Sequence, residues 1–153
     1  MLSSEQINEL RQSARTVVRE LGLLNDAYFE IGVTLAERHL LIELNSRGQS
    51  TVGEIAQLFL LDKSTASRLI ARAEEKGYIR STSNTKDKRK RMIELTELGL
   101  ATLKAFEPIA FAQTRDALLA LTPEEAALVH QGIALYARGL KESRLKRKAN
   151  ETP

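Results

Sequence analysis

The chain contains no cysteine and only two histidines, His39 and His130. The first absence excludes disulfides, thiolate metal sites and thiol redox switching. Two histidines without a thiol, set far apart, are too few for a metalloregulator, so no metal and no cofactor is expected. Nor is there a glycine-rich phosphate loop, a cysteine nucleophile or a cluster of metal-ligating residues, and the chain is not expected to be an enzyme. No uninterrupted apolar run approaches the length of about 18 residues that crosses a bilayer. The opening MLSSEQINEL lacks the basic start and apolar core of a secretion signal. A soluble protein of the cytoplasm, with no membrane partner, is the expectation.

What is present is apolar and unevenly charged. The 153 residues are 42% hydrophobic and 28% charged, too apolar for a disordered chain and about right for one domain with an oligomerisation element. The net charge is only +3, but it is concentrated. Lys86, Asp87, Lys88, Arg89, Lys90 and Arg91 place five cations and one acid in succession. Such a cluster repels itself unless an anion compensates it.

Spacing predicts a mainly α chain with a small β hairpin. Ile7, Leu10, Ala14, Val17, Leu21, Leu24 and Tyr28 recur at alternating intervals of three and four, one face of a single helix over residues 3–30. Ser3 with Gln6, Thr34 with Glu37, and Thr51 with Glu54 each have the spacing of a capping box, marking three helix starts. The second helix, with Leu35, Leu40, Leu41, Ile42 and Leu44, reads as an interior helix closed by Gly48. The third buries Ile55, Ala56, Leu58 and Phe59. Asp62 or Ser64 caps a fourth, whose inner face is Ala66, Leu69, Ile70 and Ala73 and which Gly77 ends. Residues 78–83 and 91–95 then read as the two strands of the hairpin. A helix follows Thr96, with a kink expected at Pro108. Thr122-Pro123-Glu124-Glu125 opens the last helix, expected to fray beyond about residue 145 into a flexible tail over 146–153. The apolar surplus at both ends of the chain, residues 3–30 and 97–145, implies arms that associate with each other and with a second copy.

Helix, tight turn, helix and basic hairpin over 34–96 together point to double-stranded DNA. The fourth helix is the expected recognition helix, presenting Lys63, Ser64, Thr65, Ser67, Arg68 and Arg72 outward. Its short hydroxyls suit bases or phosphates, and Arg68 has the reach for a guanine or a phosphate clamp. On the hairpin, Arg89 suits a narrow minor groove, with Lys86, Lys88, Lys90 and Arg91 adding backbone attraction. Asp87, two residues from Arg89, can hold the guanidinium fork in one orientation.

These residues carry a resemblance. DKSTASRLI at 62–70, EEKGYI at 74–79, and Asp87-Lys88-Arg89 followed by Leu95-Thr96 are similar to the corresponding segments of the MarR (multiple antibiotic resistance regulator) family. That resemblance implies a winged helix-turn-helix flanked by N- and C-terminal dimerisation helices. It further implies a homodimeric, ligand-responsive repressor on an inverted-repeat operator, with the Asp87–Arg89 pair working as a unit in the wing. Relatives bind small anionic or aromatic effectors between the arms and the winged unit. Tyr28, Phe29, Arg38 and His39 are the residues available there. Some relatives are fused to an acetyltransferase, for which a chain ending at Pro153 has no room. A competing reading is a helical interaction module that dimerises with a DNA-binding relative as an antagonist. Five clustered cations argue against it.

Overall fold

The computed structural model describes residues 2–24, 32–83 and 91–151, with the backbone alone at Ser83 and Glu151. Within them are helices α1 (Ser4–Glu20), α2 (Leu35–Arg47), α3 (Val52–Phe59), α4 (Lys63–Glu75), α5 (Glu97–Leu119) and α6 (Pro123–Glu151). Three strands, β1 (Ser50–Thr51), β2 (Ile79–Ser83) and β3 (Arg91–Leu95), complete the set. The chain divides into two compact units, residues 1–110 and 111–153.

The capping residues do what their chemistry predicts. Ser3, Thr34 and Thr51 each accept the amide of the third helical residue, while Gln6, Glu37 and Glu54 reach back to the cap amide. The helix after Thr122 has the same reciprocal pair, Thr122 N–H to Glu125 at 2.9 Å and Glu125 N–H to Thr122 Oγ1 at 3.2 Å.

In the first unit, the core is formed by Leu40, Leu41 and Leu44 of α2, Ile55 of α3, Leu69, Ile70 and Ala73 of α4, and Ile79 and Ile93 of the strands. Leu103 and Phe106 of α5 close it. Each large side chain removed from water here contributes about 1.5–3 kcal/mol before entropy is set against it. The sheet is antiparallel in the order β1-β3-β2. Its register pairs Ser81 with Ile93 toward the core, and Arg80 with Glu94 on the outer face. α4 is therefore seated by its apolar face, and its polar face turns out.

Several expectations are corrected. The helix predicted over 3–30 ends at Glu20, because Gly22 takes a positive φ of 68°. Gly22 N–H bonds the Arg19 carbonyl and Leu23 N–H the Val18 carbonyl, a Schellman stop that the apolar repeat does not reveal. Tyr28 lies outside the described residues. A third strand, Ser50–Thr51, is present where only a helix cap was predicted; two residues are too few for any alternation to show. Ile42 and Leu58, assigned to buried faces, are 45% and 37% exposed. α6 does not fray near 145 but continues to Glu151, since Lys, Arg, Leu and Ala all favour helix and cations suit its C-terminal end.

In the second unit, α6 buries none of its apolar positions: Leu128, Ile133, Leu135 and Leu140 are all more than half exposed. The same holds of α1 in the first unit, which has no buried residue. Among the described residues, no helix is long and apolar enough to cross a membrane.

Candidate nucleic-acid interface

The turn between α3 and α4 is made by Leu60 at φ 57°, ψ 34°, a left-handed conformation unusual for a branched residue. It lets Leu61 N–H bond back to the Ala56 carbonyl at 2.9 Å and aims the chain into α4. Of the two caps the sequence allows, Asp62 is the one used. Its Oδ1 accepts Thr65 N–H at 2.8 Å and its Oδ2 accepts the Thr65 hydroxyl at 2.6 Å. The hydroxyl bond first, then the amide bond, hold the Asp62 carboxyl below its usual range, so it is ionised at neutral pH.

Downstream of the cap, Lys63, Ser64, Ser67, Arg68 and Arg72 are exposed, and Thr65 is half-buried. Arg68 Nη2 donates to Thr65 Oγ1 at 3.2 Å. Ser67 turns its hydroxyl back to the Lys63 carbonyl at 2.8 Å, which occupies its proton but leaves its oxygen able to accept. The result is an exposed face with three cations over a buried apolar one, the form a helix needs to enter a groove.

At its far end α4 is fastened to the hairpin. Glu74 accepts Ser81 N–H at 3.1 Å through Oε1 and Arg91 Nη2 at 2.6 Å through Oε2. Burial alone raises the Glu74 pKa, but the hydrogen bonds from Ser81 and Arg91 and the Arg91 charge outweigh it and hold the carboxyl below its ordinary value. Arg91, expected among the phosphate-binding cations, is thus the one of that cluster among the described residues, and it is tied to α4 at the root of the wing. Lys86, Asp87, Lys88, Arg89 and Lys90 lie outside the described residues. On the outer face of the sheet, Glu94 accepts from Gln49 and from Arg80 at 2.6 Å; these bonds lower its pKa.

Two further contacts set the ends of this unit, and sequence reasoning missed both. Glu37, only 1% exposed, accepts Lys76 Nζ at 2.9 Å, joining the start of α2 to the end of α4. Thr96 caps α5 by accepting Gly99 N–H at 3.0 Å, while its hydroxyl faces the Gly77 carbonyl at 2.6 Å. The spacing of Thr96 to Gly99 is an available signal for a cap. Glu74 gave none, because an acid late in a helix ordinarily faces solvent.

Of the four candidate effector residues, Arg38 and His39 of α2 are among the described residues. Tyr28 and Phe29 lie outside the described residues. Arg38 is buried at 6% exposure, whereas His39 is exposed and meets Phe59 edge-on at 6.4 Å between ring centroids. A separate cavity of about 390 Å³ opens between Leu44, Gln49, Glu94, Leu95 and Leu100.

Residues 31–90, which span α2, both helices of the helix-turn-helix and the strand leading to the wing tip, match a family model described as the MarR family. The matched segment resembles the DNA-binding unit of that family. The match is to a DNA-binding transcription regulator with a winged helix fold. A curated relative, the uncharacterized HTH-type transcriptional regulator YfiV of Bacillus subtilis (strain 168), is 23% identical over 145 residues, 94% of this chain and 90% of its own length. Among solved structures, Sco3205 of Streptomyces coelicolor, a MarR family transcriptional regulator in complex with DNA, is 24% identical with a TM-score of 0.73, over 92% of this chain and 94% of its own. BpsR of Bordetella bronchiseptica, whose DNA binding is regulated by 6-hydroxynicotinic acid, is 20% identical with a TM-score of 0.68, over 86% and 98% of the two chains. These likenesses carry the MarR fold across nearly the whole chain.

Proposed function

We propose that the chain is a MarR-family regulator and a homodimeric repressor that binds an imperfect inverted repeat, in the cytoplasm where its DNA lies. The observation that carries this reading is α4: its inner face is sealed into the core, and Lys63, Ser64, Arg68 and Arg72 stand exposed beyond a fixed N-cap. In a major groove that face brings Arg68 to base edges and the flanking Lys63 and Arg72 to phosphates. The wing cations Lys86, Lys88, Arg89 and Lys90 would extend the contact into the adjacent minor groove, with Asp87 orienting Arg89. Residues 34–96 form the DNA-reading unit on this reading, and segments 3–30 and 97–145 supply the dimerisation arms.

The uncovered apolar positions of α1 and α6 support the dimer, since exposed stripes of this size ordinarily meet a partner. Two recognition helices related by a two-fold axis read half-sites whose centres lie about one helical turn, roughly 10 bp, apart. We further propose control by a small anionic or aromatic effector, by analogy with the response of BpsR to 6-hydroxynicotinic acid.

Selection of bound sequences from random duplex DNA tests the core of this reading. A palindromic consensus with that spacing is expected. Enrichment of a single half-site, or of no sequence, contradicts it. Transcription from a promoter overlapping the selected site should then fall as protein is added, and a rise would make the protein an activator.

A further inference from the structure

The first turn of α4 contains a one-way chain of hydrogen bonds that ends on Arg68. A carboxylate only accepts and a guanidinium only donates. The Thr65 hydroxyl between them has one proton, and at 2.6 Å that proton goes to Asp62 Oδ2. Its oxygen is then left to accept, and Arg68 Nη2 donates to it at 3.2 Å. The order Asp62 ← Thr65 ← Arg68 is therefore fixed by chemistry, because neither end can reverse its role. Thr65 is half-buried beneath this exchange and has no donor left for a base, whereas Arg68 is exposed and keeps its remaining N–H groups.

We propose that Asp62 and Thr65 are positioning residues that fix the Arg68 guanidinium for base reading, and that Thr65 makes no DNA contact of its own. The proposal rests on the reading of α4 as the groove-binding helix. It reassigns Thr65 from the contacting hydroxyls to the apparatus behind the contact. The advantage is entropic: a long exposed arginine surrenders rotamer freedom on docking, and one already held loses less. The same carboxylate caps the helix and starts the chain, so cap and positioning are separable only at Thr65. Removing that hydroxyl leaves Asp62 Oδ1 on the Thr65 backbone amide and breaks the link to Arg68.

The test compares full-length wild type, Thr65→Ala, Thr65→Ser, Arg68→Ala and the double variant Thr65→Ala/Arg68→Ala. Each is titrated on the selected operator and on a scrambled duplex at one salt concentration. Thr65→Ala should lose about 2- to 10-fold of operator preference, the scale of freeing one side chain, and Thr65→Ser should restore it. Arg68→Ala should lose more, roughly 5- to 150-fold for a base contact. The double variant should match Arg68→Ala alone. If the two losses multiply, Thr65 acts independently of Arg68 and the proposal is overturned. Full preference in both single variants overturns it as well, while wild-type discrimination would still sustain the regulator. A wild type that binds both duplexes equally overturns the regulator and the proposal together. A readout without DNA separates positioning from helix stability. Side-chain ¹⁵Nε relaxation of Arg68 should show faster motion in Thr65→Ala and wild-type order in Thr65→Ser, and unchanged motion in Thr65→Ala would sink the idea.

Discussion

Glu74 and Arg91 join the last turn of α4 to the root of the wing through a 2.6 Å ion pair. They lie 17 positions apart in sequence, and Glu74 also holds Ser81 N–H on the opposite strand. One carboxylate thus spans both strands of the hairpin, so α4 and the hairpin cannot tilt independently without breaking a charge-assisted bond.

The lowered Glu74 pKa fixes the sign of a pH effect. A carboxyl whose pKa is depressed on folding contributes stability above its unfolded value and loses it as pH falls through the folded one. Urea unfolding should therefore show a component present at neutral pH that disappears in the acid range, and Glu74→Gln should remove that component. With Arg91 well exposed and the pair open to solvent, the loss at pH 7 should be about 1 kcal/mol rather than the several of a buried pair. An identical pH profile in Glu74→Gln and wild type would show that the pair contributes nothing.

Gly99 is a second point of close approach. A Cβ built there falls 2.0 Å from the Tyr78 carbonyl oxygen, a backbone atom with no rotamer to escape by. Gly99→Ala must push the start of α5 off the Gly77–Tyr78 turn and disrupt the Thr96 cap with it. A loss of about 1–3 kcal/mol in the unfolding free energy from denaturant titration is expected, the range for overpacking. Gly53→Ala is the internal control, since its Cβ would meet only Thr51 Oγ1 at an ordinary 3.9 Å. Similar stabilities for the two variants would mean that the α5 start yields freely.

Much of this architecture was legible in the residues. Every capping pair that the spacing suggests is made, and the inner face of α4 is Ala66, Leu69, Ile70 and Ala73 as the period requires. Most of the failures share a cause, which is that tertiary partners decide them, and the end of α1 is the exception. Gly22 stops α1 within a continuing apolar repeat, because a backbone conformation rather than side-chain hydrophobicity sets the end of the helix. β1 exists only because Ser50 and Thr51 find Ile93 and Met92 across the sheet. Arg91 reads in the sequence as a backbone-attracting cation and Glu74 has no assigned role there, and their pairing appears only when the fold sets them side by side. Thr65 was legible as a polar position on the outer face, but the direction of its hydroxyl was not.

The face of α6 offers the clearest test of assembly. Val129, Ile133, Tyr136 and Leu140 recur at intervals of four, three and four, and are 38%, 63%, 43% and 55% exposed. Each such side chain gains about 1.5–3 kcal/mol if another copy covers it fully. In water the same stripe is a liability, since a soluble chain rarely leaves so continuous an apolar row uncovered. Ile133→Asp places a charge in the middle of this exposed row. If α6 lies in the dimer interface, this change should convert the micromolar dimer largely to monomer in sedimentation and leave helical content intact. Arg138→Ala, about half a turn away from the stripe, should leave the dimer unchanged. Operator affinity should fall with dimerisation in Ile133→Asp, because each monomer holds only one half-site and the two-fold gain in contacts is lost. A monomeric wild type at the same concentration, or a dimer indifferent to Ile133→Asp, would place the interface elsewhere and leave the exposed stripe of α6 to another partner.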